Sequence, residues 1–184
     1  GSVVTWGYSD YGGDSSSVSS SLGSGVSQIY SNPYAFAALK TDGSVVTWGY
    51  SSDGGDSSNV SSDLSSGVSQ IYSTDHAFAA LKTDGSVVTW GYSAEGNSSS
   101  VSSDLSSGVS QIYSTDRAFA ALKTDGSVVT WGDSRFGGDS SSVSSSLSSA
   151  VSEINSNTYA FAALKTDGSV VTWGYSDYGG DSSS

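Results

Sequence analysis

AFAALKTDGSVVTWG, residues 77–91, is the stretch whose reading decides the fold. Ala77-Phe78-Ala79-Ala80-Leu81-Lys82 is a continuous small-apolar run, the pattern of a strand covered on both faces. Thr83-Asp84-Gly85 follows, and Asp-Gly is a strong signal for a two-residue hairpin turn. Ser86-Val87-Val88-Thr89-Trp90 is β-branched and aromatic, which predicts the returning strand. Upstream, Val68-Ser69-Gln70-Ile71-Tyr72 predicts one more strand. Together they form an antiparallel meander with too little core to stand alone, so neighbouring units must stack.

The string GSVVTWG begins at Gly1, Gly43, Gly85, Gly126 and Gly168, at spacings of 42, 42, 41 and 42 residues. The 184 residues therefore divide into repeats 1–42, 43–84, 85–125 and 126–167 and a partial fifth, 168–184. Such a period suits propeller blades of about four strands or paired helices. The abundance of Gly, Ser, Thr and Val, without an apolar stripe of helical period, decides against helices. The expected fold is all-β, a propeller-like array of four antiparallel blades plus the partial repeat, closed on itself or through oligomerisation. The serine-rich stretch holding Val60 and Leu64 is read as a short outer strand or a packed loop. Val18 and Leu22 recur in every unit, which argues against a flexible linker.

The pattern Val-x-x-Ile, then Ala-Leu-Lys-x-Asp-Gly-x-Val-x-x-Trp-Gly, resembles the repeat of the regulator of chromosome condensation family and its bacterial relatives, which include a β-lactamase-inhibitory propeller. The resemblance runs through every repeat. It implies a β-propeller, usually of seven blades, whereas this chain holds four repeats and a fraction. The chromatin binding and nucleotide exchange of the eukaryotic relatives do not carry over, because the chain has no basic tail.

Eighteen acidic side chains against six basic ones give a net charge of −12. That balance opposes binding to a nucleic-acid backbone, which needs a Lys/Arg footprint. There is no cysteine, hence no disulfide framework or thiolate metal site, and no apolar run long enough to predict a membrane span. There is also no methionine, so the expected status is a processed product or, preferably, a fragment of something longer. Near-identical repeats are a habit of long surface proteins, which favours an extracellular or cell-surface setting.

No constellation of acid, base and nucleophile can be assembled, so the chain is expected to be non-catalytic, without metal or cofactor. The single histidine, His76, has no partner pattern and is read as a solvent-exposed loop residue. Asp42, Asp84, Asp125 and Asp167 suit the Asp-Gly turns, and Asp14, Asp56 and Asp139 suit turns closed by their own side chains. The five tryptophans and Phe36, Phe78, Phe119 and Phe161 are expected to pack between blades.

Comparing the repeats with one another exposes two variable clusters. One follows the Trp-Gly strand: Tyr8, Asp10 and Tyr11; Tyr50, Ser52 and Asp53; Tyr92, Ala94 and Glu95; Asp133, Arg135 and Phe136. The other follows the Ile strand: Asn32, Pro33 and Tyr34; Thr74, Asp75 and His76; Thr115, Asp116 and Arg117; Asn157, Thr158 and Tyr159. In a meander both lie at one end of the strands and the invariant Thr-Asp-Gly turn at the other. Aromatic anchors among adaptable polar groups are what recognition surfaces favour, so this face is expected to bind a protein partner. The competing reading is neutral drift at exposed loop tips. A structural, self-assembling role is the other functional class. Residues 1–17 and 168–184 are identical, so the strand segments 1–7 and 168–174 compete for one edge, and the unpaired one invites self-association.

Overall fold

The computed structural model describes residues 1–181; the last three residues of the partial fifth repeat, 182–184, lie outside the described residues. Among the described residues twelve strands form four separate three-stranded antiparallel sheets. Blade 1 comprises β1 (Val26–Ser31), β2 (Ala35–Lys40) and β3 (Val45–Gly49). Blade 2 comprises β4 (Val68–Ser73), β5 (Ala77–Lys82) and β6 (Val87–Gly91). Blade 3 holds β7 (Val109–Ser114), β8 (Ala118–Lys123) and β9 (Val128–Gly132), and blade 4 holds β10 (Val151–Ser156), β11 (Ala160–Lys165) and β12 (Val170–Gly174). Each blade draws its third strand from the next sequence repeat.

Of the two readings of the serine-rich stretch, the packed loop is the one found: it forms 3-10 turns and single helical turns such as Ser16–Val18 and Ser19–Leu22, with Leu22 buried. Asp14 accepts from the Ser16 N–H at 2.8 Å, and Asp56 and Asp139 do the same for Ser58 and Ser141. Such local side-chain bonds draw Ser- and Asp-rich backbone away from a strand ladder. The hairpin loop is a correction: it is longer than the expected two-residue turn. Lys40 N–H donates to the Ser44 carbonyl and Gly43 N–H to the Lys40 carbonyl, with Gly43 at φ 79. A type I turn closed by a left-handed glycine gives this three-residue Thr-Asp-Gly loop, whose twist suits a hairpin. Asp42 fixes it by accepting from the Ser44 N–H and hydroxyl.

Three apolar cores lie between blades, and a fourth, Leu22, Val26, Ala38 and Trp48, lies on blade 1 beneath Val3. Ala35, Ala37 and Leu39 of β2 pack against Leu64, Val68, Ile71, Phe78, Ala80 and Trp90 of the second unit, and the same set recurs at the next two junctions. Within a sheet Phe and Trp face each other across the strands, as Phe78 and Trp90 do, with rings stacked at 5.3 Å. Tyr30, Tyr72 and Tyr113 fill the flank of each junction. The small alanines let the next blade approach closely, and the large residues come from the facing side. β1 touches β4, β4 touches β7 and β7 touches β10, so the blades follow one another in an arc.

Candidate functional site: the aromatic upper face

On the face opposite the Thr-Asp-Gly loops, each blade presents two loops tied by a bond between residues 21 apart. Asn32 Nδ2 donates to the Asp53 carbonyl at 2.8 Å, Thr115 Oγ1 to the Phe136 carbonyl at 3.0 Å, and Asn157 Nδ2 to the Tyr178 carbonyl at 2.9 Å. Both variable clusters therefore share one surface. Asn32 and Asn157 also accept from the backbone N–H groups two and three residues on, which shapes the tip between the first two strands.

Blade 2 makes this tie differently. Thr74 Oγ1 donates to Glu95 Oε2 at 2.8 Å, and the His76 N–H donates to the same oxygen at 3.2 Å. The cause is the repeat of 41 residues. Its loop, Tyr92-Ser93-Ala94-Glu95-Gly96-Asn97, is one residue shorter than Tyr50-Ser51-Ser52-Asp53-Gly54-Gly55-Asp56. Gly54 sits at φ +101, a Cβ there would lie 2.5 Å from the Phe78 ring, and its carbonyl accepts from Trp90 Nε1 at 3.1 Å. The shorter loop has no such residue. A helical turn, Ser93–Gly96, replaces it and Trp131 Nε1 has no hydrogen-bond partner among the described residues. The Glu95 carboxylate takes the place of the loop carbonyl that makes the tie in the other three blades.

The aromatic side chains form two groups. In the first, ring centroids are 5.2 Å apart for Tyr8 and Tyr11, 5.3 Å for Tyr11 and Tyr34, and 5.1 Å for the stacked pair Tyr34 and His76. Tyr50 and Tyr92 flank it against Tyr11 and His76. In the second, Phe136 lies 5.5 Å from Tyr159, which meets Tyr178 at 4.4 Å and Tyr175 at 6.2 Å. The guanidinium groups of Arg117 and Arg135 approach Phe136 at 5.4 and 5.9 Å, and Arg135 pairs with Asp133 at 2.8 Å.

The β1–β2, β4–β5, β7–β8 and β10–β11 loops also line a polar cleft of about 520 Å³ that includes Pro33, Asp75, Asp116 and Thr158. The Asp75 N–H donates to the Asp116 carbonyl and the Asp116 N–H to the Thr158 carbonyl, a chain of bonds from blade to blade. Pro33, at the equivalent place in blade 1, has no N–H to extend it. Burial, then the neighbouring Asp75, raises the Asp116 carboxyl above its ordinary value, while Arg117 opposes the shift. Burial likewise raises Glu95 against the pull of Thr74, His76 and Arg117. Arg135, as hydrogen-bond donor and cation, holds Asp133 below the usual carboxylate range.

Of the residues expected to contact a partner, Tyr8, Asp10, Tyr11, Pro33, Tyr50, Tyr92, Arg135, Asn157 and Thr158 are exposed. Asn32, Tyr34, Asp75, His76, Asp116, Arg117, Asp133, Phe136 and Tyr159 are half-buried. Asp53 and Glu95 are buried, so their side chains support the surface from beneath. His76 is corrected as well: it lies between the Tyr34 ring and Asp53, whose carboxylate is 3.5 Å from Nδ1, rather than free in solvent. Thr74 and Thr115, which alternate with Asn32 and Asn157 in the variable cluster after the Ile strand, were not expected to contact a partner, and the structure makes them loop ties. Tyr175 and Tyr178 were missed too, although the identity of residues 168–178 with 1–11 marks them as equivalents of Tyr8 and Tyr11.

Among the described residues no helix is long and apolar enough to cross a membrane. No protein-family model matches the chain, and no curated protein matches it. Solved structures do. Prp20p, the RCC1 of Saccharomyces cerevisiae, matches with 18% identity and a TM-score of 0.55 over 81% of this chain and 44% of its own. Human WBSCR16 matches with 21% identity and a TM-score of 0.51, over 81% of this chain and 47% of its own. The ectodomain of the Physcomitrella patens receptor kinase CR4 gives 16%, 0.50, 82% and 39%. The chain thus spans less than half the length of each of these structures, and its four sheets are blades of the RCC1-like β-propeller fold.

Proposed function

We propose that this chain is a non-catalytic binding module whose upper face engages a protein partner. The observation that carries the reading is the gathering of the variable aromatic residues on one surface, held on loops that four rigid sheets position. Tyr and Phe supply large contact area at low entropic cost, and Ser, Asp and Asn supply adaptable hydrogen bonding. Prp20p is described as binding Gsp1p and histones, which supports protein as the partner class for a surface built on such blades. The resemblance of the repeat motif to the β-lactamase-inhibitory propeller points the same way. The partner surface in this reading centres on Tyr11, Tyr34, His76, Phe136 and Tyr159.

The test is selection from a displayed library of random peptides on the immobilised chain. Peptides enriched on the parent should lose binding when Tyr11, Tyr34, Phe136 and Tyr159 are replaced by serine, with circular dichroism showing the fold retained. They should keep binding when Asp42, Asp84 and Asp125 on the opposite face become asparagine. Enriched peptides that ignore the four serines would overturn the assignment.

A second reading, a structural or self-assembling segment, is favoured by one observation: Trp6, in the first copy of the duplicated strand, is 84% exposed where its counterparts are 2–4%.

A further inference from the structure

The junction between successive blades occurs three times with equivalent residues, and its two halves each occur once more without a partner. On blade 1, the face that receives a preceding blade is open: Ile29 is 45% exposed, while Ile71, Ile112 and Ile154 are 2, 1 and 1% exposed. Ile29, Phe36 and Trp48 line an apolar groove of about 320 Å³ there, with Val3, Val4 and Trp6 on its other side. On blade 4, the face that would meet a following blade is open: Leu164 is 38% exposed, while Leu39, Leu81 and Leu122 are 7–8% exposed. Val170 is exposed beside it, where Val45, Val87 and Val128 are half-buried. The two open faces are the two sides of one interface that the chain already makes with itself.

We propose that the chain docks head to tail on a second copy, blade 4 of one against blade 1 of the next, through a fourth repetition of the internal junction. This deepens the self-assembling reading and rests on it. The duplicated strand then decides the detail. Residues 1–7 are held to blade 1 by three backbone bonds: Gly1 N to the Val26 carbonyl, Val26 N to the Gly1 carbonyl, and Val3 N to the Leu22 carbonyl. Internally, Val68 N bonds to the Gly43 carbonyl and Val45 N to the Leu64 carbonyl in the same places. Residues 170–174, in contrast, are paired along their length with β11, from Leu164↔Val170 to Ala160↔Gly174. When two copies meet, the better-held strand stays: Gly168 and Val170 of one take the bonds that Gly1 and Val3 of the other give up, and residues 1–7 swing out. The contact is heterologous, so copies add until a ring closes, or without limit where the rotation does not close.

Two features weaken this docking relative to the internal junctions. Displacing residues 1–7 forfeits their own bonds. In addition, Asn155 stands on β10 where the tyrosines of the internal junctions, Tyr30, Tyr72 and Tyr113, stand on β1, β4 and β7, and it bonds to Glu153 instead.

The experiment is sedimentation velocity over a wide range of protein concentration, with circular dichroism as the check of folding. The parent should rise from its 18.6 kDa monomer as concentration increases. Removing residues 1–7 deletes the competing strand while leaving Gly12 as the acceptor for Trp48, and Asn155→Tyr restores the flank. Each should move the transition to lower concentration by about tenfold, roughly 1.4 kcal/mol. Ile29→Arg and Leu164→Arg should each stay monomeric, yet a mixture of the two should form a dimer and stop there, because one intact face of each kind remains. Replacing Tyr11, Tyr34, Phe136 and Tyr159 by serine should leave the association unchanged, which separates it from upper-face binding. Assembly that survives both arginine substitutions would overturn this junction while leaving the self-assembling reading standing. A chain monomeric in every form would overturn both.

Discussion

Glu95 carries a charge to a place where its counterparts put a peptide carbonyl. The residue is 1% exposed and, with burial as the leading cause, its carboxyl's folded-state value lies above the ordinary one. The native state therefore binds this proton more readily than the unfolded chain. The penalty is absent in acid and grows as pH rises through the ordinary carboxylate range toward the raised value. Glu95→Gln keeps an oxygen for Thr74 and His76 and removes the charge. Its melting temperature should exceed the parent's at pH 7, and the gap should close below about pH 4; a gap independent of pH in thermal unfolding would rule out burial as the cause. The turn aspartates behave oppositely. Ser44 lowers Asp42 through its hydroxyl and N–H, so that contribution is present above the ordinary value and lost as pH falls. The two roles were unequally legible. Asp-Gly spacing announces a turn, whereas nothing local in Ser93-Ala94-Glu95 says that the side chain turns inward; only the count of 41 residues hinted at a local rearrangement.

The loop after β6 shows what one residue does to an element. The loops that reach Trp48, Trp90 and Trp173 end in a left-handed glycine whose carbonyl accepts the indole N–H. Grafting residues 52–56 in place of 94–97 supplies the missing residue. The graft should return a partner to Trp131 and raise stability by about 0.5–1.5 kcal/mol in urea unfolding, the usual worth of a hydrogen bond. An unchanged midpoint would mean that Glu95 and its helical turn already offset the loss. The strands themselves were readable because β-branched runs and paired Phe and Trp positions leave few alternatives. The serine-rich stretch was not, since serine favours neither strand nor helix and its outcome depends on Asp14, Asp56 and Asp139 closing turns and on Leu22, Leu64, Leu105 and Leu147 finding buried sites. The upper face was legible as a set of positions; the division into exposed anchors and buried supports needed the fold, because side-chain ties such as Asn32 to Asp53 join residues far apart in sequence.

At the scale of the molecule, stability resides in the junctions. Three of the four apolar clusters span two blades, and the fourth, Leu22, Val26, Ala38 and Trp48, is blade 1's half of a junction, covered by Val3. Stability is then close to a sum of neighbour terms. In the monomer, amides of β5 and β8, which have blades on both sides, should exchange with solvent most slowly. Those of β12, with a blade on one side only, should exchange fastest among the third strands. Uniform protection across all four sheets would contradict nearest-neighbour coupling. The likeness of the junctions has a consequence for inheritance. Each repeat meets the next at the same Thr-Asp-Gly seam, so recombination between two repeats in register adds or removes a whole blade and leaves no foreign sequence behind. The faces that must fit remain matched after every such event, while the loops above them arrive in new combinations. Length and surface can thus change in a single genetic step without the fold being relearned.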